Sequence, residues 1–161
     1  MASDKSSSIP EPDDELTPTQ EFAWLGLLAA CDSIVHQVDA RLRAAHALSL
    51  SAYRVLWRLA LAPTASICMS ELAATVPITI SGMSRLVDRL EEAGLVRRTS
   101  NREDGRFACA ALTSDGLALV QTAHVTYVAT LRRLFLDHLN DEELTCLTSC
   151  WRSLEQRKSR M

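Results

Sequence analysis

Glycine is scarce, aromatic side chains are few, and no long apolar run occurs, and each shortage narrows what the chain can be. Only five glycines are spread over 161 residues, and none belongs to a phosphate-cradling loop or a nucleophile elbow. There is no metal-binding helix motif, and no acid is paired with an evident base, so the chain is not expected to be an enzyme and no cofactor is expected. No apolar run approaches the roughly 20 residues that span a bilayer, so no membrane association is expected. The N-terminus lacks a basic segment followed by an apolar one, which makes the cytoplasm the expected compartment. Five cysteines are an odd number, with no CxxC or Cys/His spacing. That pattern argues against a disulfide framework and against zinc, leaves no metal ligands, and makes most of the cysteines small core hydrophobes.

What remains is an ordinary globular composition, 47% apolar and 23% charged, long enough to bury one core. A net charge of −3 is unhelpful to a nucleic-acid binder, but it is unevenly distributed. Residues 1–21 hold six acids and a single lysine, leaving 16 basic and 14 acidic residues for the rest. Affinity for phosphate depends on where arginine sits more than on the sum.

Residues 1–18 are rich in Ser, Pro and acids and read as a disordered acidic arm. From about Thr19, Phe22, Leu25, Leu28, Val35, Val38 and Leu42 recur at steps of three and four, which predicts a long helix ending near His46. Ser49 or Ser51 can cap a second helix with Tyr53, Leu56, Trp57, Ala60 and Leu61 as its stripe, stopped by Pro63. Ile67–Met69 reads as a short extended link. Ser70 can cap a compact helix over Glu71–Val76 that ends before Pro77, and Ile78–Thr79 make the turn. A further helix is expected over Ile80–Ala93, with Ile80, Met83, Leu86, Val87 and Leu90 inward and Gly94 as its left-handed stop. Leu95–Thr99 and Arg106–Leu112 flank a polar tip and predict a β-hairpin. Thr113 can cap a long helix whose apolar side holds Leu117, Val120, Val128, Leu131, Leu134 and Phe135. Asn140 with Glu143 opens a last helix running to about Arg157.

A short helix, a three-residue turn, a second amphipathic helix and a hairpin make a winged helix-turn-helix. The second helix of that motif enters the major groove, and the hairpin reaches the neighbouring backbone or minor groove. Ser81, Ser84, Arg85, Asp88 and Arg89 lie opposite the apolar stripe. Short hydroxyls allow close approach, and Arg85 can fork onto the acceptors of a guanine. Gly82 permits close approach without a side-chain contact. At the hairpin tip, Arg102 and Arg106 suit a groove of negative potential, and Asp104 can hold the Arg106 guanidinium. Taken alone, these residues also fit a solvated helix face and a charged turn; their order along the chain favours the DNA reading.

These residues carry a resemblance. From about Phe22 to Leu154 the chain resembles the multiple antibiotic resistance regulator (MarR) family of bacterial transcription factors. The matching segments are Leu50-Ser-Ala-Tyr-Arg-Val-Leu56, Met69-Ser-Glu-Leu-Ala73 and Ser84-Arg-Leu-Val-Asp-Arg-Leu-Glu-Glu-Ala-Gly-Leu-Val96. Asp104-Gly-Arg106, at the family's Asp-x-Arg wing motif, and Leu112-Thr-Ser-Asp-Gly-Leu117 complete them. The resemblance implies a mainly α fold with a small β-hairpin wing. It divides the chain into the arm (1–18), a dimerisation helix (19–48), a winged helix-turn-helix DNA-binding lobe (49–113) and C-terminal dimerisation helices (114–158). It also implies a homodimer on a pseudo-palindromic double-stranded operator, probed through Ser81, Ser84, Arg85, Arg89, Asp104 and Arg106, to which the chemistry of the hairpin tip adds Arg102. Gly82 and Gly105 depart from the Thr or Ser and the Arg common at those places, which weakens one base-edge and one wing-tip contact.

Many family members repress nearby genes and release DNA when a small phenolic or anionic effector enters a cleft between the dimerisation region and the DNA-binding lobe. Trp24, His36, Tyr53, Trp57 and His124 are the residues here with the chemistry to line such a cleft, aromatic walls with polar tips. Each fits core packing better than it fits such a cleft. Some relatives sense oxidants through a thiol of the first helix, but Cys31 lies further along, beside Asp32, which disfavours the thiolate. A winged helix that has exchanged DNA for a protein partner is the competing reading. Arg85 together with Arg106 speaks against it.

Overall fold

A computed structural model describes residues 15–76, 78–100 and 108–158. It divides into two compact units, residues 1–33 and residues 34–161, with the break inside the first helix. The proposed disordered arm lies outside the described residues up to position 14.

Helix α1 spans Pro18–His46. Proline at the first helical position loses no hydrogen bond there. Ahead of it Thr17 and Gln20 form a reciprocal box: the Thr17 N–H donates to Gln20 Oε1 at 2.8 Å, and the Gln20 N–H to Thr17 Oγ1 at 3.3 Å. Of the apolar steps read along this helix, only Val38 and Leu42 are buried, while Phe22, Leu25, Leu28 and Val35 are exposed.

Within residues 34–161 the order is α2 (Leu50–Leu61), β1 (Ser66–Cys68), α3 (Met69–Thr75), α4 (Ile80–Glu92), β2 (Val96–Ser100), β3 (Ala108–Leu112), α5 (Ser114–Leu134), a 3₁₀ turn (Leu136–His138) and α6 (Asp141–Lys158). Ser49 caps α2 by accepting from the Ala52 N–H, and Thr113 caps α5 by accepting from the Gly116 N–H. At α6 the Asn140 and Glu143 side chains each accept from the other's N–H. One core collects Leu42, Leu56, Leu59, Leu72, Met83, Val87 and Val120 from five helices.

Four expectations change. The extended link is a strand, β1, which pairs with β3 through Ser66↔Ala111 and Cys68↔Cys109, so the hairpin becomes a three-stranded antiparallel sheet in the order β1-β3-β2. Three residues are too few to show a period of two. Helix α3 starts two residues earlier than Glu71, with Cys68 at its cap position and no side-chain capping bond, so Ser70 lies inside it. On α5 Val120 is buried and Leu134 packs against the core as expected, but Gly116, Ala123 and Thr130 are buried too, Leu117 is exposed and Phe135 falls outside the helix. The cysteines are not mainly core hydrophobes either: Cys31, Cys146 and Cys150 are exposed, and Cys68 and Cys109 form a disulfide. That pairing joins residues 41 apart that only sheet register brings together.

Two backbone positions fix how the wing joins the rest. Gly94 has φ +72°, the left-handed stop expected after α4. Gly116 lies where a Cβ would stand 2.1 Å from the Leu95 carbonyl oxygen, so only glycine lets α5 start against the α4–β2 connection. Thr113 completes that junction, its hydroxyl donating to the Gly94 and Leu95 carbonyls at 2.8 and 3.0 Å.

Candidate nucleic-acid interface

Helix α4 is the second helix of the helix-turn-helix. Thr79 caps it, Oγ1 accepting from the Gly82 N–H at 3.1 Å, and Ala93 followed by Gly94 ends it. Met83, Leu86, Val87 and Leu90 are buried as expected and anchor one face. Ile80 is not inward: it is 80% exposed. Period alone places it above Met83, but the first turn overhangs the core, and Ile78, the residue before the cap, packs there instead, beside buried Val76.

The outer face carries the candidate DNA contacts. Ser81 is exposed, its hydroxyl 3.2 Å from that of Thr79. Ser84 is half-buried, and Arg85 and Arg89 are exposed. Arg89 Nε donates to the Arg85 carbonyl at 3.3 Å, which directs that guanidinium along the helix. A Cβ on Gly82 would stand 3.1 Å from Thr79 Oγ1, a tight contact that the capping hydroxyl would have to ease by a few tenths of an ångström. Arg102, Asp104 and Arg106 lie outside the described residues.

Arg98, on β2, contacts the candidate face and was passed over by the sequence reading. Its guanidinium pairs with Asp88 and reaches Glu91 Oε2 at 3.4 Å and the Ser84 hydroxyl at 3.5 Å, while its N–H donates to Glu91 Oε1 at 2.8 Å. One arginine thus ties the wing to α4 and neutralises the two acids on that side of the helix. A signal existed in Arg97-Arg98, since alternation along a strand sends the two to opposite faces.

Behind α4 lies a cleft of about 500 Å³ lined by Asp39 and Arg43 of α1, Ser49, and Gly82, Leu86 and Arg89 of α4 among others. Asp39 organises its rim, accepting from the Leu50 N–H at 2.7 Å and from Arg43 Nε. Burial works against its charge. The hydrogen bonds from Arg43 and Leu50, with the positive charges of Arg43 and His36, outweigh it and hold the carboxyl below its ordinary value.

Of the candidate effector residues, Tyr53, Trp57 and His124 come together. The Trp57 and His124 rings stack at 3.8 Å and 5°, and the Tyr53 hydroxyl meets His124 Nδ1 at 2.7 Å. Tyr127 adds a fourth ring, 4.7 Å from that of Tyr53. Burial, then the neighbouring Tyr127, pushes the Tyr53 hydroxyl well above its ordinary value and keeps it a neutral hydrogen-bonding group. His36 is exposed on α1 near Asp39 rather than in this stack, and Trp24 is an exposed residue of the first unit. No helix among the described residues is long and apolar enough to cross a membrane, and none of their His, Cys, Asp and Glu residues cluster to hold a metal ion.

Comparison with known proteins agrees with this architecture. The sequence profile of the MarR family matches residues 47–106, a stretch that contains α2, β1, α3, α4 and β2. The HTH-type transcriptional regulator PapX of Escherichia coli is 26% identical over 129 residues, covering 80% of this chain and 79% of its own. Among solved structures, AbsC, a MarR family transcriptional regulator from Streptomyces coelicolor, superposes with a TM-score of 0.85 at 30% identity, over 91% of this chain and 99% of its own. Sco3205, another MarR family regulator of that organism, solved in complex with DNA, gives 0.83 at 28% identity, over 88% and 89%. With the helix-turn-helix, the wing and this near-complete coverage agreeing, the chain belongs to the MarR family of transcriptional regulators and is not an enzyme.

Proposed function

We propose that this chain binds a specific pseudo-palindromic operator as a homodimer, represses nearby genes, and is released by a small aromatic or anionic effector. The observation that carries the DNA half is the outer face of α4, where exposed Ser81 and Arg85 stand beside half-buried Ser84 on a helix capped at both ends and anchored by four buried residues. Arg85 reads a guanine, the serines seat the helix against phosphates and base edges, and Arg102, Asp104 and Arg106 of the wing reach the adjoining groove. Exposed apolar residues on α5 and α6 (Val125, Trp151, Leu154) supply surface for a second copy, and within the first unit Phe22, Leu25 and Leu28 of α1 are exposed as well.

For the effector, the cleft behind α4 offers two guanidinium groups, Arg43 and Arg89, to an acid. The stack of Tyr53, Trp57 and His124 offers aromatic walls once its rings part, with His36 and Trp24 as the remaining candidates. A ligand that favours a different spacing of the two lobes mismatches half-sites about 34–36 Å apart, and it shifts the equilibrium only by its differential affinity for the two spacings.

The test is fluorescence anisotropy of the full chain on its own upstream DNA at several salt concentrations, beside Arg85→Ala and Arg106→Ala. Binding about 10³-fold tighter than to random duplex is expected, with a log–log salt slope near −0.9 per phosphate neutralised and a clear loss in both variants. A folded dimer that binds no duplex better than random, its own promoter and a selected library included, would overturn the reading in favour of a protein partner.

A further inference from the structure

Ile80 is the large side chain on α4 with no place in the core, 80% exposed at the first helical position. An aliphatic β-branched residue there gains nothing from helix propensity and leaves apolar surface in water. Its neighbours are the DNA candidates: half-buried Ser84 is four residues on, and exposed Ser81 with Arg85 forms the adjacent row, so these four side chains lie on one side of the helix. Residues at the N-terminal end of a recognition helix are the ones that meet base edges. The major-groove edge of a base pair carries one apolar group, the 5-methyl of thymine, beside hydrogen-bonding groups that an isoleucine cannot satisfy.

Resting on the DNA reading above, we infer that Ile80 is a specificity-determining residue that packs against a thymine methyl in each half-site. It therefore selects an A·T pair at one position while Arg85 selects guanine at another. Apposition to cytosine would bury the exocyclic amine without a partner, and apposition to uracil would leave a gap of one methyl.

That gap gives the experiment. The full chain first selects its preferred duplex from a random library. Each thymine of one half-site is then replaced singly by deoxyuridine, and affinities are measured for the wild type and for Ile80→Ala. Alanine is the better helix former and the site is exposed, so the variant is expected to keep its fold and melting temperature, checked by circular dichroism. At one or two positions the missing methyl should weaken the wild type roughly fourfold, the fold-change that burial of one methyl group corresponds to. In Ile80→Ala the same replacement should have no effect. Equal losses in both proteins, or no thymine at which uracil weakens the wild type, overturn the role of Ile80 and leave the DNA reading standing. A wild type that enriches no sequence overturns both.

Discussion

Gly116, Ala47 and Asp39 each hold a junction on a single atom or angle. An added methyl at Gly116 would meet the Leu95 carbonyl oxygen at 2.1 Å and Leu112 Cδ1 at 2.9 Å, and the first of these is backbone that no rotamer change relieves. Gly116→Ala should lower stability by about 1–3 kcal/mol, as overpacking does, read by urea unfolding. The opposite is expected at Ala47, which has φ +52° just after α1. The left-handed conformation costs an L-residue about 1–2 kcal/mol, and glycine's extra unfolded-state freedom takes back about 0.5–1 kcal/mol. Ala47→Gly should therefore stabilise modestly, and a fall in stability would mean the Ala47 methyl makes a contact of its own. Asp39 sets a pH dependence. Its folded-state carboxyl titrates below the ordinary value of 3.8, so its contribution is present in full above that value and is lost as pH falls through the lower folded value. Asp39→Asn should thus be less stable than wild type at pH 7, and the difference should shrink at pH 3; a constant difference across that range would exclude the charge as its source.

Among the elements, the tie between β2 and α4 matters more to DNA than to folding. The Arg98, Asp88 and Glu91 side chains are each a third or more exposed, and such pairs contribute only about 0.2–1 kcal/mol. Removing Arg98, however, leaves two carboxylates unbalanced on the flank of the helix beside the proposed DNA contacts. Arg98→Ala should cost little in melting temperature and several-fold in operator affinity, and Arg98→Ala combined with Asp88→Asn should recover part of that affinity. No recovery would mean that the wing's position, not its charge, is what Arg98 supplies. This tie also marks where sequence reading stops. The caps at Ser49, Thr113 and Asn140, the stop at Gly94 and the buried stripe of α4 were legible because each is a local rule that four to eight consecutive residues express. Strand β1, the register that joins Cys68 to Cys109, the Arg98 pairs and the outward turn of Ile80 were not. Each depends on what a distant segment places opposite it, and Ile80 also obeys the helical period while sitting past the edge of the core. The aromatic candidates show the same division. Tyr53 and Trp57 share a helix face by spacing, whereas His124 reaches them only through the packing of α5 on α2.

For the molecule as a whole, charge and apolar exposure pull in different directions, and a second copy reconciles them. The chain's net charge is −3, so a dimer approaches DNA with twice that. At physiological salt, charges more than about 8 Å away are largely screened, and the local arginines of α4 decide the encounter. Apolar surface is not screened. Val125 is 70% exposed on α5, and Trp151 and Leu154 on α6 are 42% and 55% exposed, a large amount for residues that no core needs. A second copy would remove that surface from water, and a twofold pairing gives each operator half-site its own α4. Charges placed there should separate the copies without touching the buried core that anchors α4. Trp151→Glu with Leu154→Glu is therefore expected to sediment as a monomer where the wild type sediments as a dimer. It should keep its helical circular dichroism and lose at least about 100-fold in operator affinity, the share that a second linked half-site contributes. A monomeric variant with wild-type affinity would show that one lobe suffices. A wild type already monomeric at micromolar concentration would leave the apolar face of α6 to a different partner.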